Sequence, residues 1–209
     1  MTGVPFFDEY EQELREKHGE PGDRIVTVSG LTGVGTGTLS AFLAEELGLE
    51  HIDAGQFFRR KAEEHGMSID EFDSEAERIE EEKGVDFDEE WDRTALRYAF
   101  TRDDLLLEGR MTGALLEDVA AVRVWVECDT ETVANRIADR DNPAEDLADL
   151  SMDDLAAYIR ERNREQLKRY RKKYGVDPTD RQYYNVVIDN SRALDTVKDE
   201  LLAAINDQI

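Results

Sequence analysis

The chain has 209 residues, with 50 Asp and Glu against 26 Lys and Arg, giving a formal net charge of −24. Its hydrophobic content of 40%, including 8 Phe, 7 Tyr and 2 Trp, is enough for one folded core and excludes a wholly disordered acidic chain. A field this negative repels polyanions, so nucleic acid and anionic membrane are excluded as general partners and any phosphate ligand needs a local basic site.

The acids run along the whole chain instead of forming one tail. That pattern suits a halophilic cytosol at molar salt, where the Debye length is only about 3 Å and self-repulsion is screened. Full stability at low salt would contradict it. Cys128 is the single cysteine, so no internal disulfide forms and a reducing compartment is expected, with the thiol packed as a small apolar group. Asp8, Glu9, Glu11 and Glu13 stand where a signal peptide would be basic and then apolar, and no apolar run has the length of a membrane span. A cytoplasmic protein is expected, with a monomer favoured.

Residues 1–23 read as an acidic N-terminal extension, with a helical stretch from Phe6 to His18 closed by Gly19, Pro21 and Gly22. Ile25 to Ser29 is β-branched and apolar and predicts a buried strand. After a Gly/Thr-rich turn, Leu39, Phe42, Leu43 and Leu47 recur at helical spacing, with Gly48 where the helix should stop. Residues 55–100 hold three helical stretches and no strand, and residues 63–90 carry fourteen acids, which predicts a solvated helical subdomain. The apolar runs Leu105-Leu106-Leu107, Val122 to Val126 and Tyr184 to Ile188 alternate with helical patterns. The expected class is therefore α/β, a parallel β-sheet flanked by helices.

Gly30-Leu31-Thr32-Gly33-Val34-Gly35-Thr36-Gly37-Thr38 joins a strand to a helix, the context in which a glycine-rich turn offers backbone N–H groups to phosphate oxygens. Gly30 and Gly35 fit G-x-x-x-x-G. Thr36 stands where the phosphate-binding Lys is expected, and Gly37 where a Mg²⁺-ligating Ser or Thr is expected. The hydroxyls of Thr36 and Thr38 are the candidates to compensate. A dinucleotide fold is the rival, with Asp53 on a ribose, but the glycine spacing here is G-x-x-G-x-G rather than G-x-G-x-x-G.

Two strand ends carry arginines: Asp53-Ala54-Gly55-Gln56-Phe57-Phe58-Arg59 after the second strand, and Glu108-Gly109-Arg110 after the third. There Glu108 could orient a metal-bound water and Arg110 could hold a phosphate bidentately. Arg160 to Lys173 holds eight basic residues and two acids, a local charge of +6. On a helix, Arg162, Glu165, Gln166 and Arg169 share one face. That segment reads as a phosphate-clamping lid, with Arg136 and Arg140 on the preceding helix as further candidates; neutralisation of the acidic subdomain is the alternative reading.

Together these motifs resemble the nucleoside monophosphate kinases, most closely the archaeal type of cytidylate kinase, over residues 24–206. The resemblance rests on the strand-turn-helix start, Ile52 to Arg59, Gly66 to Phe72, Leu107-Glu108-Gly109-Arg110, Lys168-Arg169-Tyr170, Tyr174 to Asp177 and Val187 to Ser191. It implies a P-loop NTPase-like fold with a monophosphate-binding insertion at 55–100 and a lid at 141–165, and transfer of the ATP γ-phosphoryl to CMP or dCMP with Mg²⁺. By matching position it places the ATP phosphates on Gly30 to Thr38 and the metal at Thr38 and Glu108. The acceptor falls to Asp53, Gly55, Arg59, Glu108, Gly109 and Arg110, and the transferring group to Arg136, Arg162 and Arg169. The runner-up is a nucleotide-binding paralogue with a regulatory or scaffolding role.

Overall fold

The computed structural model describes residues 3–139, 150–206 and 208. Five strands, β1 (Ile25–Gly30), β2 (Glu50–Asp53), β3 (Leu105–Glu108), β4 (Val122–Glu127) and β5 (Val186–Asp189), form one all-parallel sheet in the order β2-β3-β1-β4-β5. The run expected from Tyr184 to Ile188 enters the sheet only at Val186. Tyr184 turns instead into the core, where its hydroxyl donates to Pro178 O at 2.5 Å.

Helices cover both faces, and the strands accordingly read as continuous apolar runs: every residue of β1 is buried. Alternate side chains feed two cores. Val26, Val28, Leu106, Val124 and Ile188 pack with Leu39 and Leu43 of α2 (Thr36–Leu47), Val133 of α7 (Thr130–Ala138) and Leu201 of α9 (Leu194–Asn206). Ile25, Leu105, Leu107 and Trp125 face the opposite way, toward Trp91 and Leu96 of α5 (Phe87–Ala99), α6 (Thr112–Leu115), and Tyr170 and Tyr174 of α8 (Met152–Tyr174).

The insertion between β2 and β3 is helical throughout: α3 (Ala54–Glu64), α4 (Ile69–Lys83) and α5. It has a small core of its own, Ala62, Phe72, Ile79 and Phe87. Ser68 and Glu71 form a capping box that starts α4, and Asp86 caps α5. No helix among the described residues is long and apolar enough to cross a membrane.

The segment before β1, expected as an extension, is packed into the main core. Val4 and Phe7 are fully buried, Leu14 of α1 (Asp8–His18) nearly so, and the rings of Phe6 and Phe7 lie 5.2 and 5.3 Å from that of Tyr174. The Arg93 guanidinium sits 4.7 Å from the Tyr10 ring and 5.8 Å from the Phe7 ring, tying the segment to α5. We expect Phe7→Ala to cost about 3 kcal/mol in urea unfolding at high salt, the range for a large aromatic truncated in a close-packed core. A merely appended segment would show almost no change.

Candidate active site

The order β2-β3-β1-β4-β5 places strands reached before β4 on one side of β1 and later ones on the other, so the sheet switches direction at β1. Ligands of open α/β sheets bind outside the carboxyl ends at such a point. The loop from Gly30 to Thr36 sits there. Gly33 and Gly35 have φ of +79° and +92°, and a Cβ on them would stand 2.6 Å from Val133 Cγ1 and 2.5 Å from Asn190 Nδ2, so only glycine serves at either position.

Gly35 is the N-cap of α2 and offers no capping side chain, and the first turn carries no acid. The orphan N–H groups of the helix start and the positive end of its dipole are therefore open to an anion. The loop is pinned from three sides. Thr32 N–H donates to Asn163 Oδ1 of α8 at 3.3 Å, Arg110 Nη2 donates to Thr32 Oγ1 at 3.2 Å, and Asn190 Nδ2 donates to Val34 O at 2.8 Å.

Glu108, at the end of β3, comes to the base of this loop. Its Oε1 accepts from Thr36 Oγ1 at 2.7 Å and its Oε2 from His51 Nε2 at 3.0 Å. The hydroxyl that meets Glu108 is thus that of Thr36; Thr38 lies exposed one position beyond Gly37. Among the described residues no group of three or more His, Cys, Asp or Glu is placed to hold a metal ion. Glu108 with the Thr36 hydroxyl nonetheless gives hard oxygen donors beside the helix start. Such a set fits Mg²⁺, which commonly takes one or two protein oxygens and completes its shell with phosphates and water.

Pairing of β2 with β3 sets Asp53 opposite Glu108, so the two motifs that follow these strands emerge side by side. Asp53 caps α3 by accepting from Gln56 N–H at 2.7 Å, and Arg59, exposed one turn on, reaches back to Asp53 at 3.5 Å. Gly109 N–H donates to Val28 O at 3.1 Å, which carries the strand pairing past Glu108 and holds Arg110 against the loop. On the β4–β5 side of the loop a cavity of about 470 Å³ is lined by Leu31, Val34, Trp125, Cys128 and Ser191 among others.

The basic segment divides. Arg169 pairs with Asp88 at 3.0 Å, Lys173 with Asp86, Arg171 with Asp177 and Arg164 with Glu161. Among the described contacts these four cations are bound to acids, and two of the acids, Asp86 at the N-cap of α5 and Asp88 in its first turn, belong to the helical insertion. Arg162, half-buried, reaches Tyr158 Oη at 3.4 Å from Nη1. Arg136 donates from Nη2 to Asn190 O at 2.7 Å, and its Nη1 lies 3.6 Å from where a Cβ on Gly35 would stand, so it borders the loop. Arg140 and the first part of the expected lid, 141–149, lie outside the described residues.

Sequence reasoning missed His51, Asn163 and Asn190. A lone His in a short strand carries no motif, and the two asparagines come from segments 131 and 156 residues away from the loop atoms they hold. Asn190 alone carried a signal, since it falls within Val187 to Ser191.

A family model described as the cytidylate kinase-like family matches residues 25–192. The chain is 37% identical to a protein named cytidylate kinase from Methanopyrus kandleri, over 80% of this chain and 85% of that one. It is 36% identical to one of the same name from Methanosarcina acetivorans, over 80% and 87%. Among solved structures, shikimate kinase from Bacteroides thetaiotaomicron superposes with a TM-score of 0.61 at 14% identity, covering 88% of this chain and 97% of the other. That likeness is one of fold.

Proposed function

This chain belongs to the cytidylate kinase-like family, by a match that spans its whole sheet, and from that premise we propose that it moves the γ-phosphoryl of ATP onto CMP or dCMP in the cytoplasm of a high-salt cell. The observation that carries the reading is one arrangement. An uncapped helix start behind a strained glycine loop sits at the switch point of the sheet, with Arg59 and Arg110 following the two adjacent strands on one side.

In that reading the backbone N–H groups from Gly30 to Thr38 cradle the ATP phosphates, which needs no side chain, and the β4–β5 cavity takes the nucleoside. Arg110 and Arg59, with the groups at Asp53, Gly55 and Gly109, hold the acceptor. Arg110 offers a planar fork that matches a phosphate with two parallel hydrogen bonds. Arg136 and Arg162, and Arg169 once released from Asp88, neutralise charge on the transferring group. Phosphoryl transfer asks for positioning and charge neutralisation more than for covalent help, so arginines brought from α3, the end of β3, α7 and α8 to the carboxyl end of the sheet suit that chemistry. Mg²⁺, when bound through Glu108 and the Thr36 or Thr38 hydroxyl, would neutralise phosphate charge.

A second reading, a nucleotide-binding paralogue without turnover, is favoured by Thr36 and Gly37 alone. A coupled assay at high KCl with ATP, Mg²⁺ and a panel of nucleoside monophosphates separates the two, with CMP and dCMP expected above UMP, AMP and GMP. Binding of ATP by calorimetry without turnover of any acceptor would defeat the enzyme reading. The double substitution Thr36→Lys with Gly37→Ser sharpens it. An active enzyme should change by less than about tenfold in kcat, whereas a crippled loop should gain orders of magnitude, as a restored charge on the transferring group would supply.

A further inference from the structure

Three groups from three segments meet at the base of the loop: His51 of β2, Glu108 of β3 and Thr36 of α2. Glu108 is only 15% exposed and His51 22%. Both oxygens of the carboxylate are engaged, one by each neighbour. Because a carboxylate only accepts, His51 carries its proton on Nε2 and Thr36 gives its hydroxyl proton to Oε1.

A hydroxyl whose proton is committed in this way keeps only acceptor lone pairs. It suits a cation and not a phosphate oxygen. Gly37 leaves the neighbouring space clear, since a Cβ there would stand 3.6 and 3.9 Å from the two Glu108 oxygens. The terminal torsion of a glutamate is soft, and one contact to Thr36 would not hold it. The second contact comes from a residue fixed in the sheet, with His51 in register with Leu106.

We propose that His51 is a positioning residue for the phosphotransfer centre. It locks the Glu108 carboxylate in the pose that accepts the Thr36 proton, so that Thr36 Oγ1 and Glu108 together present to Mg²⁺ the oxygen donors that a hydroxyl at position 37 would otherwise supply. The inference deepens the phosphotransferase reading and rests on it.

The test compares wild type, His51→Leu and His51→Gln, whose amide keeps a donor. Calorimetry of ATP binding with Mg²⁺ and with EDTA gives the gain in affinity that the metal confers. Expected in His51→Leu is about a 10-fold smaller gain than in wild type, the scale on which outer-shell partners of metal ligands act. The kcat should fall in parallel while KM for the acceptor stays, and His51→Gln should recover most of both. An unchanged metal-dependent gain in His51→Leu overturns the proposal. So does a His51→Gln variant no better than His51→Leu with both losses tracking a lowered Tm, since a merely structural role predicts that. A wild type that binds MgATP but phosphorylates no acceptor sinks the activity reading, while the calorimetric comparison still decides the role of His51.

Discussion

Replacing Arg110 by alanine is expected to lower kcat/KM for the nucleoside monophosphate about 10³-fold, with most of the loss in KM for the acceptor and a smaller loss in the affinity for ATP, since Arg110 also pins Thr32 of the glycine loop. Single arginines on a transferring or accepting phosphate act on this scale because the bidentate contact works in a partly dehydrated site. Arg110 is half-buried at the end of β3, anchored through Gly109 N–H to Val28 O and through its own Nη2 to Thr32 Oγ1. Its guanidinium is therefore held before substrate arrives, and less freedom is lost on binding. Arg110→Lys should regain no more than about tenfold, since a point charge replaces the fork. Steady-state kinetics with ATP saturating checks this. A loss below tenfold in the alanine variant would move acceptor binding to another group.

The residues that made the fold legible were those whose physics is local. Ile25 to Ser29 could only be a buried strand, and Gly48 does end α2, with φ of +65°. Leu105 to Leu107 are fully buried, as an apolar run in a parallel sheet must be. The glycine loop was legible for the same reason, since a positive φ demands a particular residue. What could not be read were pairings set by topology. No periodicity puts His51 beside Glu108, because that contact exists only once β2 lies against β3. The N-terminal segment read as an acidic extension because its acids dominate the count, while its anchoring comes from a few apolar and aromatic residues, Val4, Phe7 and Leu14 buried and Phe6 and Tyr10 in ring contacts.

The charge of −24 makes the same point from the other side. A +6 segment in such a chain reads as a phosphate clamp, and its sequence gives no way to tell which cations are already spoken for. In three dimensions Asp86, the N-cap of α5, takes Lys173, and Asp88, in the first turn of that helix, takes Arg169. The C-terminal half of α8 is therefore fastened to the helical insertion, and for Arg169 to serve the proposed phosphate-clamping role its pair with Asp88 has to break. The Arg169 side of the pair is 47% exposed although Asp88 is only 14% exposed, so solvent reaches the guanidinium and a bound phosphate can compete for it.

Asp92→Asn is expected to stabilise the protein at alkaline pH, against the usual direction for a substitution in a core. Asp92 is 2% exposed on α5, faced by Tyr174 and Lys173 of α8, with Asp88 on its own helix and Asp86 at that helix's N-cap adding negative charge. Burial pushes its carboxyl up to about 8; the Asp88 charge adds to the rise, and the Tyr174 hydroxyl and Lys173 oppose it. In the unfolded chain the same group titrates near its ordinary value of 3.8. Between about pH 4 and pH 8 the folded protein therefore holds a proton that the unfolded chain has released, and stability falls as pH rises through that window. At up to about 1.4 kcal/mol per pH unit, the total loss by pH 9 approaches about 6 kcal/mol. Asparagine keeps the shape and removes the titration. Urea unfolding at constant high salt should find the two proteins close at pH 4.5, the variant ahead at pH 6.5 and further ahead at pH 8.5. A difference that does not change with pH would mean that Asp92 is already ionised in the folded protein, held by Lys173 across the α5–α8 contact.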